Sequence, residues 1–263
     1  MPCKNNGIAP LYRFWCRQAD PARKATSDER APFAHRMTYQ FDFTSLLPYW
    51  RDFAEGVWLT LQLSAWSTLL GFVCGTLCAV ARTDGAPWLQ RLVGGYVEVI
   101  RNTPLLVQIF LIYFGIAVLG IHLSANLAAV LALVVNITAY TCEIMRAGIE
   151  SVHKAQIEAA DCLGLSRRQT YWHVILRPAV ERVYPALTSQ YVLLMLASSI
   201  TSQISAEELT AVTSRIQSDT FRSFETYIVT ALLYLLLSFV VRGAFWAFGM
   251  LIFPRKRRLG TSL

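Results

Sequence analysis

Apolar residues run along this chain in long unbroken stretches, with polar residues gathered into short segments between them. Residues 57–81, 103–142 and 183–206 carry no Asp, Glu, Lys or Arg, and residues 226–253 carry only Arg242. About 20 apolar residues cross a bilayer as an α-helix. The second run is about two crossings long by that rule, with a break expected at residues 120–126. The pattern predicts an all-α integral membrane protein with five transmembrane helices. A barrel would instead need short segments of alternating polarity. Composition agrees: 54% of residues are hydrophobic, 16% are charged and the mean hydropathy is +0.40, too apolar for an ordinary soluble domain.

The most structured polar segment is 156–169, between the third and fourth predicted spans. Glu158, Ala159 and Ala160 followed by Gly164 spell a short helix stopped by a glycine at its C-terminus. Ser166 and Gln169, three residues apart, form a capping box that starts a second helix. Two helices joined by a tight turn suit insertion into a partner's groove. The alternative is a solvated helical connector.

Charge adds an orientation. The net charge is +7, and Lys and Arg concentrate in alternate loops. With the N-terminus outside, the inner segments hold Arg82, Arg91, Arg101, Arg146, Lys154, Arg167, Arg168, Arg177, Arg182 and the basic run 255–258. The outer segments hold only Arg51, Arg215 and Arg222 between the first span and the last. Positive residues mark the cytoplasmic side, so the C-terminus and the 156–169 segment are expected inside. The basic balance is a topology signal and gives no reason to invoke nucleic acid. Residues 1–36, rich in Arg and Lys, lack the apolar core of a signal peptide. They are expected to be a disordered extension or to precede a true start at Met37.

Glu158, Ala159, Ala160 and Gly164, with Ile175, Leu176 and Pro178 after them, resemble the EAA loop of ABC importer permeases. The likeness extends to residues 101–108, to residues 139–143 with 146–149, and to Glu207, Glu208 and Leu209. Together these resemble the polar amino-acid branch, the histidine/glutamine-type permeases, over residues 40–258. The resemblance implies a type I importer permease architecture, with a permease domain over 37–258, a coupling loop at 150–177 and a short tail at 259–263. It implies docking of Glu158, Ala159, Ala160, Gly164, Ser166 and Arg167 on an ABC ATPase subunit in a bacterial inner membrane. It further implies a periplasmic solute-binding protein, to which Glu207, Glu208 and Asp219 are candidate contacts, and a second permease, identical or sister. Three departures stand out. Lys-Gly-Gln becomes Lys154-Ala155-Gln156, Leu-Pro-Gln shifts to Leu176-Arg177-Pro178, and Leu196-Ala197 replaces a charged pair.

The chain has no Gly-x-x-x-x-Gly-Lys-Ser/Thr loop, so it has no ATPase site by that route. No cofactor is expected on it; ATP and Mg would be used by the partner ATPase. The six cysteines and four histidines show no metal-site spacing. Polar residues inside apolar helices usually face the bundle interior. Asn136, Thr138 and Glu143 on the third span, and Gln190, Ser198, Ser199, Thr201 and Gln203 on the fourth, are therefore candidates to line the translocation path of an amino-acid zwitterion. Asn136 and Glu143 lie seven apart and share a helix face. Such residues can instead bond helix to helix, and Glu143 can pair with Arg146 or Arg101. Thr103 and Pro104 open the second span, after an interfacial segment with Trp88 and Tyr96 at headgroup depth. An ion-gradient-driven secondary transporter and a non-transporting scaffold are the alternatives.

Overall fold

The computed structural model describes residues 40–253, and the helical unit treated below begins at Asp42. The expected extension 1–36, the basic run 255–258 and the tail 259–263 lie outside the described residues. All regular structure among the described residues is helical. A 3₁₀ turn, Thr44–Tyr49, leads into α1, Trp50–Asp84. Then follow α2 (Pro87–Arg101), α3 (Leu105–Val118), α4 (Ala125–Glu150) and α5 (Lys154–Cys162). A helical turn Arg167–Gln169 and a π-helical stretch Thr170–Leu176 run without a break into α6, Arg177–Ala197. That rod ends in a 3₁₀ turn, Ser198–Ile204, before α7 (Leu209–Thr220) and α8 (Ser223–Ile252).

Four of these helical stretches are long and apolar enough to cross a membrane: Thr44–Asp84, Ala125–Glu150, Arg167–Ile204 and Ser223–Ile252. A fifth crossing exists if α2 and α3 count as one span, and they are bent by 108°. The expected second span opens where Thr103 and Pro104 place it, as α3 with Pro104 at its N-cap, but at 14 residues it is short for a crossing by itself. Asn102, Thr103 and Pro104 separate it from α2, because proline lacks the N–H that would continue the ladder.

The centre of the bundle is α1 packed along α4, and small residues make that possible. Thr60, Ser64, Ser67, Gly71, Gly75 and Ala79 form one buried stripe on α1. A Cβ on Gly71 would lie 2.1 Å from Ile137, and one on Gly75 would lie 2.6 Å from Thr141. Helices in lipid associate through such close packing, since no hydrophobic drive separates side chains from lipid tails. The pairs Gly71–Ile137, Gly75–Thr141 and Arg82–Glu143 advance together along both helices, so α1 and α4 are parallel. Gly148 against Ala179 and Val183, and Thr141 against Tyr191, make α6 antiparallel to α4. Tyr184 of α6 meets Phe253 edge to face and Tyr191 packs at a tilt against Phe245, so α8 runs antiparallel to α6.

This topology gathers the end of α1, the end of α4 and α5 at one end of the bundle, the arginine-rich end. At the other end a separate small core of Leu46, Phe53, Leu209, Val212 and Ile216 joins the first turn, α1 and α7, with Val229 and Leu233 of α8 packed against it.

Candidate coupling loop and translocation path

The loop expected to dock on a partner is built as its sequence spells. Gly164 sits at φ +73°, beyond the C-terminus of α5. The Leu165 N–H donates to the Ala160 carbonyl at 3.2 Å, and the Gly164 N–H to Asp161 at 3.0 Å. These two bonds define a Schellman stop. The Ser166 N–H donates to Gln169 Oε1 at 2.9 Å, and the Gln169 N–H to Ser166 Oγ at 3.4 Å. The capping box is complete, but it does not open a second short helix. It starts the rod that continues to Ile204, through the π-helical stretch and past Pro178 and Pro185, neither of which ends the helix.

Glu158, Ala159, Gly164, Ser166 and Arg167 are exposed. Ala160 is buried; the close approach it permits is between α5 and the π-helical stretch of the same chain. Two apolar residues add to the exposed surface: Leu163 is 80% exposed and Trp172 65% exposed. Sequence reasoning passed over both, although a large apolar side chain in an otherwise polar loop was the available signal.

A cavity of about 450 Å³ opens between the α2–α3 bend, α4 and α6. Its polar lining includes Arg101, Asn102, Thr103, Asn136, Tyr140 and Gln190. Two expected path residues, Asn136 and Gln190, thus meet there. The Asn136 amide donates to Gln108 Oε1 at 2.9 Å. Gln108 is buried and donates in turn to the carbonyls of Ile100, at 2.8 Å, and Thr103, at 3.0 Å. Gln108 therefore fastens the bend to α4. Sequence reasoning gave it no role, since its partners are remote or lie in the broken turn.

The other path candidates fall elsewhere. Glu143 borders a neighbouring cavity of about 800 Å³, but its carboxylate is already held. Arg82 reaches it at 2.5 Å, and Arg146 pairs with both Glu143 and Glu150. The expected partner Arg146 is present, whereas Arg101 lies 5.5 Å from the Tyr140 ring instead. Ser198 and Ser199 donate back to the Met195 and Leu196 carbonyls at 2.7 and 2.8 Å. Their hydroxyls satisfy their own helix end and do not line the cavity with Asn136.

Trp88 is exposed, as an interfacial residue should be. Tyr96 instead turns inward, its hydroxyl donating to the Val135 carbonyl at 2.6 Å. Of the residues expected to face a binding protein, Glu207 and Asp219 are exposed, but Glu208 is fully buried. Its carboxylate caps α7 through the Thr210 and Ala211 N–H groups at 2.9 and 3.2 Å, and accepts from the Tyr234 hydroxyl at 2.6 Å. Burial pushes its pKa above the ordinary carboxylate value.

A multi-pass helical bundle, broken at one span, with a polar cavity beside the break and a capped loop projecting from one end, is the build of a transport permease. The chain belongs to the family of binding-protein-dependent transport system inner membrane components, whose pattern matches residues 68–248. It is 31% identical over 227 residues to the octopine transport system permease protein OccM of Rhizobium radiobacter, covering 81% of this chain and 93% of that one. It is 35% identical over 205 residues to the glutamine transport system permease protein GlnP of Escherichia coli K12, covering 77% and 93%. A solved amino acid ABC transporter with histidines superposes with a TM-score of 0.74 at 34% identity, over 81% of this chain and 99% of that one. The chain is a permease subunit of the ABC importer class.

Proposed function

We propose that this chain is the membrane-spanning subunit through which a polar amino acid, delivered by a periplasmic binding protein, crosses a bacterial inner membrane. Hydrolysis of ATP with Mg on a separate ABC ATPase would drive it, and a second permease, identical or sister, would complete the pathway. The chain itself would bind no cofactor. The observation that carries this is the loop of α5 and the capped turn, with Glu158, Ala159, Leu163 and Arg167 all exposed to solvent. From Arg167 the helix continues without a break into α6, so a push on the capped turn moves a whole span.

The relatives named for octopine and glutamine transport favour a zwitterionic substrate. The cavity suits one chemically: Asn136 and Gln190 offer amide groups, which can accept from an ammonium and donate to a carboxylate.

Gly164→Leu tests the coupling. Nothing lies within 4 Å of an added Cβ, and the left-handed backbone costs a non-glycine residue about 1–2 kcal/mol. We expect roughly tenfold weaker ATP-driven uptake by the reconstituted transporter, with membrane insertion unchanged. Wild-type uptake in this variant would overturn the docking role. Uptake that survives ATP depletion and collapses with an ion gradient would favour a secondary transporter.

A further inference from the structure

The cavity of about 800 Å³ that Glu143 borders shares Arg101, Asn102 and Tyr140 with the smaller one but is richer in arginine. Arg82, Arg91 and Arg101 face it, with Glu98 and Glu143 as its only carboxylates and Gly94, Gly95, Asn102 and Tyr140 completing most of the wall. Glu143 is taken up by Arg82 and Arg146. Arg91 and Arg101 form no ion pair among the described residues, so the pocket keeps an excess of positive charge beside Glu98.

Helix α2 explains how the pocket is formed. It carries three stripes. Leu89, Val93, Val97 and Ile100 pack inward, while Trp88, Leu92 and Val99 are 66%, 61% and 62% exposed. Arg91, Gly94, Glu98 and Arg101 form the third stripe, since spacings of three and four residues share a helix face. An exposed apolar stripe beside a charged one is the signature of a helix lying in a membrane interface. The bend of 108° against α3 is consistent with such a helix. Gly94 and Gly95 keep the pocket open: no atom lies within 4 Å of a Cβ on Gly95, and the nearest to one on Gly94 is Arg82 Nε at 3.8 Å.

We propose that this pocket binds the phosphate of an anionic phospholipid headgroup, with Arg91 and Arg101 as ligands and Arg82 behind them. The acyl chains would pass over the Trp88, Leu92 and Val99 stripe into the bilayer. Basic pockets between membrane helices on the cytoplasmic side take such headgroups, and the distribution of Arg and Lys assigns this end to that side. A soluble phosphate could use the same guanidinium groups but would leave the apolar stripe uncovered.

The test is a native mass-spectrometry titration of the full chain in detergent with phosphatidylglycerol, phosphatidylcholine or inorganic phosphate. Wild type should bind phosphatidylglycerol in preference to phosphatidylcholine. Arg91→Gln should weaken that binding roughly fivefold, the effect of one arginine at an anionic surface. Arg91 is exposed and unpaired among the described residues, so folding should survive the change. Arg168→Gln, on the projecting loop, should bind as wild type does. Equal binding by Arg91→Gln and wild type, equal losses in both variants, or displacement of the lipid by millimolar inorganic phosphate would each overturn the proposal.

Discussion

Buried polar side chains in this molecule differ in how completely they are satisfied, and that decides what each can do. Glu208 accepts from two backbone N–H groups and from Tyr234, yet its enclosure still favours the neutral acid. The native state therefore holds this proton more tightly than the unfolded chain does. The penalty for ionising it is absent below the unfolded pKa and accumulates as pH rises towards the folded one. Melting of the detergent-purified protein should accordingly show a decline above the ordinary carboxylate range that Glu208→Gln removes. An unchanged slope in the variant would show that the carboxyl group titrates as it would in water. Glu143 differs, because two guanidinium groups already hold it. Side chains about a quarter exposed soften that network by solvent screening. Its place is to tie the end of α1 to α4, and Asn136 and Gln190 are better placed to meet a substrate.

At the scale of elements, the decisive feature is the break between α2 and α3. Thr103 and Pro104 announce a helix start, but nothing local specifies that α2 turns through 108° from α3. Gln108 holds that angle by bonding Ile100 and Thr103 on one side and Asn136 on the other. Gln108→Leu would strand those groups in a buried site, destabilising the protein by about 1–3 kcal/mol. The loss should show as a lower melting temperature. Asn136→Ala should add little on top of it, because both changes remove the same contact. Full additivity in that cycle would refute the clamp. The coupling loop contrasts with the bend. Its Schellman stop and capping box were both readable, because each is a bond pattern within six residues. Its continuation through a π-helical stretch into α6 was not, since the apolar pattern begins only after the polar turn ends.

Across the whole molecule, the parallel pairing of α1 with α4 and the antiparallel run of α6 bring Arg82, Arg146, Lys154 and Arg167 to one end. Charge asymmetry predicts that this end faces the cytoplasm. Cys162 is exposed on the loop, so a membrane-impermeant thiol reagent should reach it in inverted vesicles but not in intact spheroplasts. Asp219→Cys, exposed at the opposite end, should label in spheroplasts. The reverse pattern would invert the topology. α8 is the least buried of the spans, so most of its apolar surface is left for lipid or for a second permease.

The sequence by itself determined the class of architecture: charge-free runs fix helices in a membrane, and alternating basic loops predict which way they point. It also determined the capped loop, because caps and glycine stops act over a single turn. Which cavity Asn136 and Glu143 each border, and that Gln190 meets Asn136, was decided only in three dimensions. A helix period says which residues share a face, but not which neighbour covers it. Close α1–α4 packing at Gly71 and Gly75 draws Arg82 onto Glu143, while the bend clamped by Gln108 opens the polar cavity beside Asn136. These contacts join residues 28 to 66 positions apart in the chain, a range over which local pattern carries no information.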